Sequence, residues 1–252
     1  MRTIVPGPPP DSRYAFRILA PLAVLVPAFV AGCGGGSGPE AVTPAQAHMF
    51  AHFDRAGEVH HALLQGNLNR ARAAASWIAN HSDPHPLPPD CAEYQDAMEG
   101  QAARVSRAHS LEEAAAGAAH MGRFCGECHR HQGVVPRFLV GTAPPAGPGT
   151  RGEMTLNLWA AERMWEGLLA GEEYAWNSGA EALRQGWLDP RYLSGDPAHH
   201  QVLRTLVQRV YRLGARAEDV EDFEARAVLY GEFLTTCMEC HRQTRSLLQE
   251  PG

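Results

Sequence analysis

Cys125-Gly126-Glu127-Cys128-His129 and Cys237-Met238-Glu239-Cys240-His241 are two copies of one pattern, Cys-x-x-Cys-His. Each lies near the end of a long proline-free stretch. Leu111, Ala115, Ala118, Gly122, Cys125 and His129 step by three and four residues. So do Val220, Phe223, Ala227, Tyr230, Leu234, Cys237 and His241. That spacing predicts amphipathic helices whose apolar stripe continues into the motif. The proline-free stretches number four: 45–83, 90–135, 149–189 and 198–250. Proline clusters between them mark loops, because proline breaks helix interiors.

The chain also repeats itself. His60-His61-Ala62-Leu63-Leu64-Gln65-Gly66-Asn67 matches Trp165-Glu166-Gly167-Leu168-Leu169-Ala170-Gly171-Glu172, and the same offset pairs Met49 with Met154. Glycine near 66 and 171 suits a helix–helix turn. The expected fold is all-α: two tandem four-helix bundles, 45–135 and 151–252, each with its motif on the last helix, joined by a linker over 136–150. The expected helices are 45–65, 67–81, 91–107 and 111–131, then 152–170, 172–187, 198–214 and 217–244.

Composition agrees with helices. Alanine is abundant, and Ile78 is the only isoleucine beyond the N-terminus. The 252 residues carry 22 basic and 28 acidic side chains, all the basic ones arginine, for a formal charge of −6. An acidic chain is a poor partner for nucleic acid or for an anionic membrane surface.

Residues 1–32 read as an export signal. Arg2, Arg13 and Arg17 precede an apolar run from Ile18 to Ala31, which is too short and too proline-rich to span a bilayer. Val30-Ala31-Gly32-Cys33 resembles the lipobox of bacterial lipoproteins, which implies lipidation at Cys33, a glycine-rich tether over 33–44 and a membrane anchor facing the periplasm or cell exterior. Cleavage before Cys33 removes three arginines and Asp11, so the formal charge moves from −6 to −8.

Cys-x-x-Cys-His is the attachment pattern of c-type haem. Thiols at i and i+3 share a helical face and suit thioethers to two vinyl groups of one porphyrin. A histidine at i+4 lies one turn on and offers its imidazole to iron. Redox disulfides usually accompany a βαβ pattern, which is absent here. A zinc site of four thiolates leaves the two histidines unexplained. Two haem c groups are therefore expected, held by Cys125, Cys128 and His129 and by Cys237, Cys240 and His241.

Only eleven residues follow His241, so the second haem is expected to be covered by residues before the motif. Cys128-His129-Arg130-His131-Gln132-Gly133 and Cys240-His241-Arg242-Gln243-Thr244-Arg245, with leading helices that end in Leu-x-Gly, resemble the cytochrome c′ and cytochrome c-556 class of four-helix bundles. The resemblance spans about 200 residues. It implies His129 and His241 as proximal ligands and a distal position served by the first helix of each bundle. The distal candidates are Met49, His52 and Phe53 in the first half and Met154, Asn157 and Leu158 in the second. Trp159, Trp165, Trp176 and Trp187 are expected to line the second haem. Arg130 and Arg242 could pair with propionates or simply face solvent. Cys91 is left over, as a buried thiol or an intermolecular disulfide.

The leading expectation is an electron-carrying lipoprotein rather than an enzyme, docking on a redox partner with a basic face. The alternative is cytochrome c′-like binding of NO or CO at an open iron. A dihaem peroxidase fits less well, because that class uses a different fold and a longer chain.

Overall fold

Side-chain caps mark the starts of five of the eight α-helices. The computed structural model describes residues 42–249, apart from 82–86, 137, 139–140, 146–148, 187, 190, 192, 194–196 and 219. The expected signal sequence, Cys33, most of the expected tether and Trp187 lie outside the described residues. The α-helices are α1 (Pro44–Leu64), α2 (Leu68–Asn80), α3 (Ala92–Arg107), α4 (Leu111–His131), α5 (Gly149–Ala170), α6 (Glu173–Gln185), α7 (Pro197–Ala217) and α8 (Phe223–Gln249). A 3-10 turn, Pro89–Cys91, precedes α3, and no strand occurs among the described residues. Thr43 and Gln46 form a reciprocal capping box at α1. Asn67, Ser110 and Glu172 accept backbone N–H groups at the starts of α2, α4 and α6. No described helix is long and apolar enough to cross a membrane.

The largest departure from the expected boundaries is α8. It starts at Phe223, not near 217, because the Asp222 side chain accepts the Ala225 N–H at 2.9 Å and caps the helix there. Arg226 Nε donates to the Val220 carbonyl at 2.8 Å, which holds the entry strand of chain out of the helix.

The helices form one compact unit in which each packs on the next in sequence. α4 also packs along α8 and against α5, so the two motif-bearing helices carry the junction between α1–α4 and α5–α8. Small residues allow close approach: Ala114, Ala115, Ala118 and Ala119 of α4 are all buried. At the centre, His60 and Trp165, equivalent positions of the repeat, stack with centroids 5.2 Å apart and planes 8° apart. Tyr230 OH donates to the Ala161 carbonyl at 2.7 Å. Its single proton is thus committed, so His60 Nε2–H donates to it, also at 2.7 Å.

Gly126 is required at this junction. A Cβ there would stand 2.1 Å from the Leu168 carbonyl oxygen. Opposite it, Gly171 ends α5 at φ +67°, a left-handed conformation that favours glycine. Together they let α4 close onto the C-terminal end of α5.

Candidate functional site

A helix leaves its last carbonyl groups without intrahelical partners. At the end of α1, the N–H groups of Gln65, Gly66 and Asn67 bond the carbonyls of His61, Leu63 and Ala62. The Leu64 carbonyl takes a different partner: His241 Nδ1, 2.8 Å away on α8. The repeat reproduces this in the opposite sense. The Leu169 carbonyl at the end of α5 accepts from His129 Nδ1 of α4 at 2.7 Å. Leu64 and Leu169 are equivalent positions, as are His129 and His241, so each motif histidine is oriented by the leading helix of the other half. A ring that donates Nδ1–H to a carbonyl presents Nε2 as its lone-pair nitrogen, the arrangement found behind metal-bound imidazoles. Burial holds His129 below the ordinary imidazole range, which keeps that ring neutral.

The second motif faces a cavity of about 490 Å³, within the size range of small-molecule sites. Cys237, Cys240 and His241 form one wall. Leu206, Val207 and Val210 of α7, Phe233 of α8, and Met154, Asn157 and Leu158 of α5 form others, with Leu64 and Gln65 at the end of α1. The walls are mostly apolar. Burial pushes the Cys237 thiol up to about 12 and raises that of Cys240. Both are neutral thiols at ordinary pH.

No protein-family model, curated protein or solved structure matches the chain. The chemistry of the site therefore rests on its own geometry.

Of the distal candidates, Met154 and Asn157 line the same cavity as His241. Asn157 Oδ1 is buried without a hydrogen-bond partner among the described residues. Leu158 also reaches the cavity but is about half exposed. In the first half, Met49 is half-buried at the position equivalent to Met154. Phe53 packs on Phe138, centroids 5.0 Å apart. His52 meets His48, His81 and Trp77.

Cys125 and Cys128 lie on α4 with His129, and burial pushes both thiols up to about 12. Cys91 is buried with its Sγ 3.0 Å from Cys128 Sγ, so it is an internal third thiol and not a surface group awaiting a partner chain. Gln132 and His131 both reach Asp90, at 2.9 and 3.5 Å, and tie the 3-10 turn to the end of α4. Sequence alone gave no sign of this contact, because Cys91 lies 37 residues from Cys128.

One secondary expectation changes. Trp165 and Trp176 do not line the cavity; they pack around Tyr230, at 5.8 and 6.4 Å between centroids, filling the junction between the halves. Trp159 donates to the Gly141 carbonyl at 2.9 Å. Arg130 and Arg242 are both exposed, as the solvent-facing alternative expects; Arg130 lies over the Phe223 ring at 4.5 Å and Arg242 pairs with Glu239 at 2.7 Å.

Proposed function

We propose that the chain is a dihaem c-type cytochrome that carries electrons in the periplasm or at the cell envelope, attached to the membrane through a lipid at Cys33. In this reading the eight helices are two four-helix bundles joined through α4 and α8. The observation that carries it is the reciprocal bonding of His129 and His241 to Leu169 and Leu64. Two histidines, each one residue after a Cys-x-x-Cys pair, have the same nitrogen fixed in the same way.

The residues around the second motif fit haem c. Cys237 and Cys240 would hold the second group by thioethers, His241 Nε2 would ligate its iron, and the cavity walls would keep out water. Cys125, Cys128 and His129 would supply the corresponding thioethers and iron ligand for the first. Bound haem supplies one-electron chemistry at iron, and the protein tunes it through axial ligation and burial. Met154 and its equivalent Met49 are the favoured distal ligands, because Met154 shares a cavity with His241. The acidic chain favours a redox partner with a basic docking face and salt-sensitive association.

A second reading, binding of NO or CO at an open iron, is favoured by one observation: Asn157 brings a buried polar group to the wall facing His241. Optical spectra of the mature protein, ferric and ferrous, with and without CO, separate the two. Sharp low-spin ferrous bands unmoved by CO are expected for electron transfer. A CO-shifted high-spin spectrum would move gas binding to first place.

A further inference from the structure

The first half holds a histidine cluster apart from the two motifs; of its members only His52 is also a distal haem candidate, and Met49 is favoured for that role. His48 and His52 lie one turn apart on α1, and His81 caps the C-terminal end of α2. The three rings form a triangle, with centroid separations of 4.2, 5.6 and 5.5 Å. One nitrogen of each lies within 4.8 Å of the others. Trp77 backs the group, stacked on His81 at 4.0 Å and edge-on to His52 at 5.6 Å. We propose that His48, His52 and His81 form a binding site for a divalent transition-metal ion of the zinc and copper class, separate from the two Cys-x-x-Cys-His motifs.

The donor set selects the metal class. Imidazoles suit zinc, copper and nickel and are poor ligands for magnesium or calcium. Three histidines leave a fourth position open to water or an exogenous ligand. Tetrahedral zinc with Zn–N bonds of about 2.0 Å needs nitrogens about 3.3 Å apart, so the cluster needs to tighten by no more than about 1.5 Å. His81 is half-buried at a helix end, where a small ring movement is cheap. Arg55, over the Trp77 ring at 5.3 Å, is paired with Glu58 at 2.8 Å.

The repeat supplies an internal comparison. The positions equivalent to His48, His52 and His81 are Glu153, Asn157 and Gly186. Two of these also meet, since a Cβ on Gly186 would lie 3.6 Å from Asn157 Oδ1. The fold therefore brings the ends of the leading helices together in both halves, but only the first half places three imidazoles there.

The test is zinc uptake by the mature, haem-loaded protein after chelator treatment, read by equilibrium dialysis with elemental analysis. The expected result is one tightly held zinc per chain. His81→Ala, at a helix end, should weaken it at least about tenfold, as should His48→Ala and His52→Ala, while His131→Ala should not. Iron content and the visible spectrum should be unchanged in His81→Ala, which keeps this outcome distinct from any failure of the haem reading. Loss of zinc in His81→Ala from a protein that carries no haem would still uphold the site. Absence of stoichiometric zinc in the wild type, uptake indifferent to His81→Ala, or uptake abolished by Cys91→Ser would overturn it.

Discussion

His241 Nδ1 lies 2.8 Å from the Leu64 carbonyl oxygen, across 177 residues of sequence and across the junction between the two halves. Neither half is self-sufficient at its motif. Residues 149–252 produced alone lack the helix end that orients His241 and expose the faces of α5 and α8 that α4 covers. That fragment should be unfolded, or should dimerise so that the Leu169 carbonyl of each copy substitutes for Leu64. Sedimentation with circular dichroism checks this, and a folded monomer would refute it.

The approach of α4 to α5 is limited by one position. Gly126→Ala drives a methyl group into the Leu168 carbonyl and should cost about 3 kcal/mol, at the upper end of overpacking penalties. Gly133→Ala, at φ +64° with nothing within 4 Å, should cost only the left-handed strain of about 1 kcal/mol. Denaturant unfolding of both variants gives the comparison. Equal losses would mean that α4 and α5 are not in contact as described.

His60 is fully buried, and desolvation, reinforced by its neighbour His61, lowers its pKa to about 3. The folded state keeps the ring neutral, whereas the unfolded chain protonates it below about 6.5. Below that pH the unfolded state binds the extra proton, so this residue removes stability as pH falls from about 6.5 to about 3. The slope is at most about 1.4 kcal/mol per pH unit. His60→Gln, which keeps a donor for Tyr230, should flatten the stability–pH curve in that window. An unchanged slope would show that His60 is not the group responsible.

If the proposed haems are bound, Met154 and Met49 should separate them spectroscopically. Met154→Ala should turn one haem high-spin and CO-reactive and leave the other unchanged. Met49→Ala should do the same to the other haem. If neither substitution moves a spectrum, the methionines are packing residues and the sixth positions lie elsewhere.

The helices were legible in the sequence because proline, glycine and capping residues mark their ends. α4 matches its expected range of 111–131, while the expected start of α8 lies six residues early, because the apolar periodicity runs on through Val220 past the Asp222 cap. The motifs and the repeat were legible as residue identities. Their cross-connection was not, because hydrogen bonds from His129 and His241 to backbone carbonyls leave no mark on residue choice at Leu64 or Leu169. The tryptophans misled for a related reason. Large aromatic side chains predict burial but not which void they fill, and here Gly122 opens space for Trp165. His48, His52 and His81 were visible only as histidines scattered among many others.

The most direct test is the intact mass and iron content of the mature protein made in a host with a haem c maturation system, together with its Cys125→Ala/Cys128→Ala and Cys237→Ala/Cys240→Ala variants. The account predicts a wild-type mass raised by two covalently attached haem groups with two irons per chain, and one haem retained in each double variant. A wild-type protein with no covalent haem, or one holding zinc on its four motif cysteines, would contradict it.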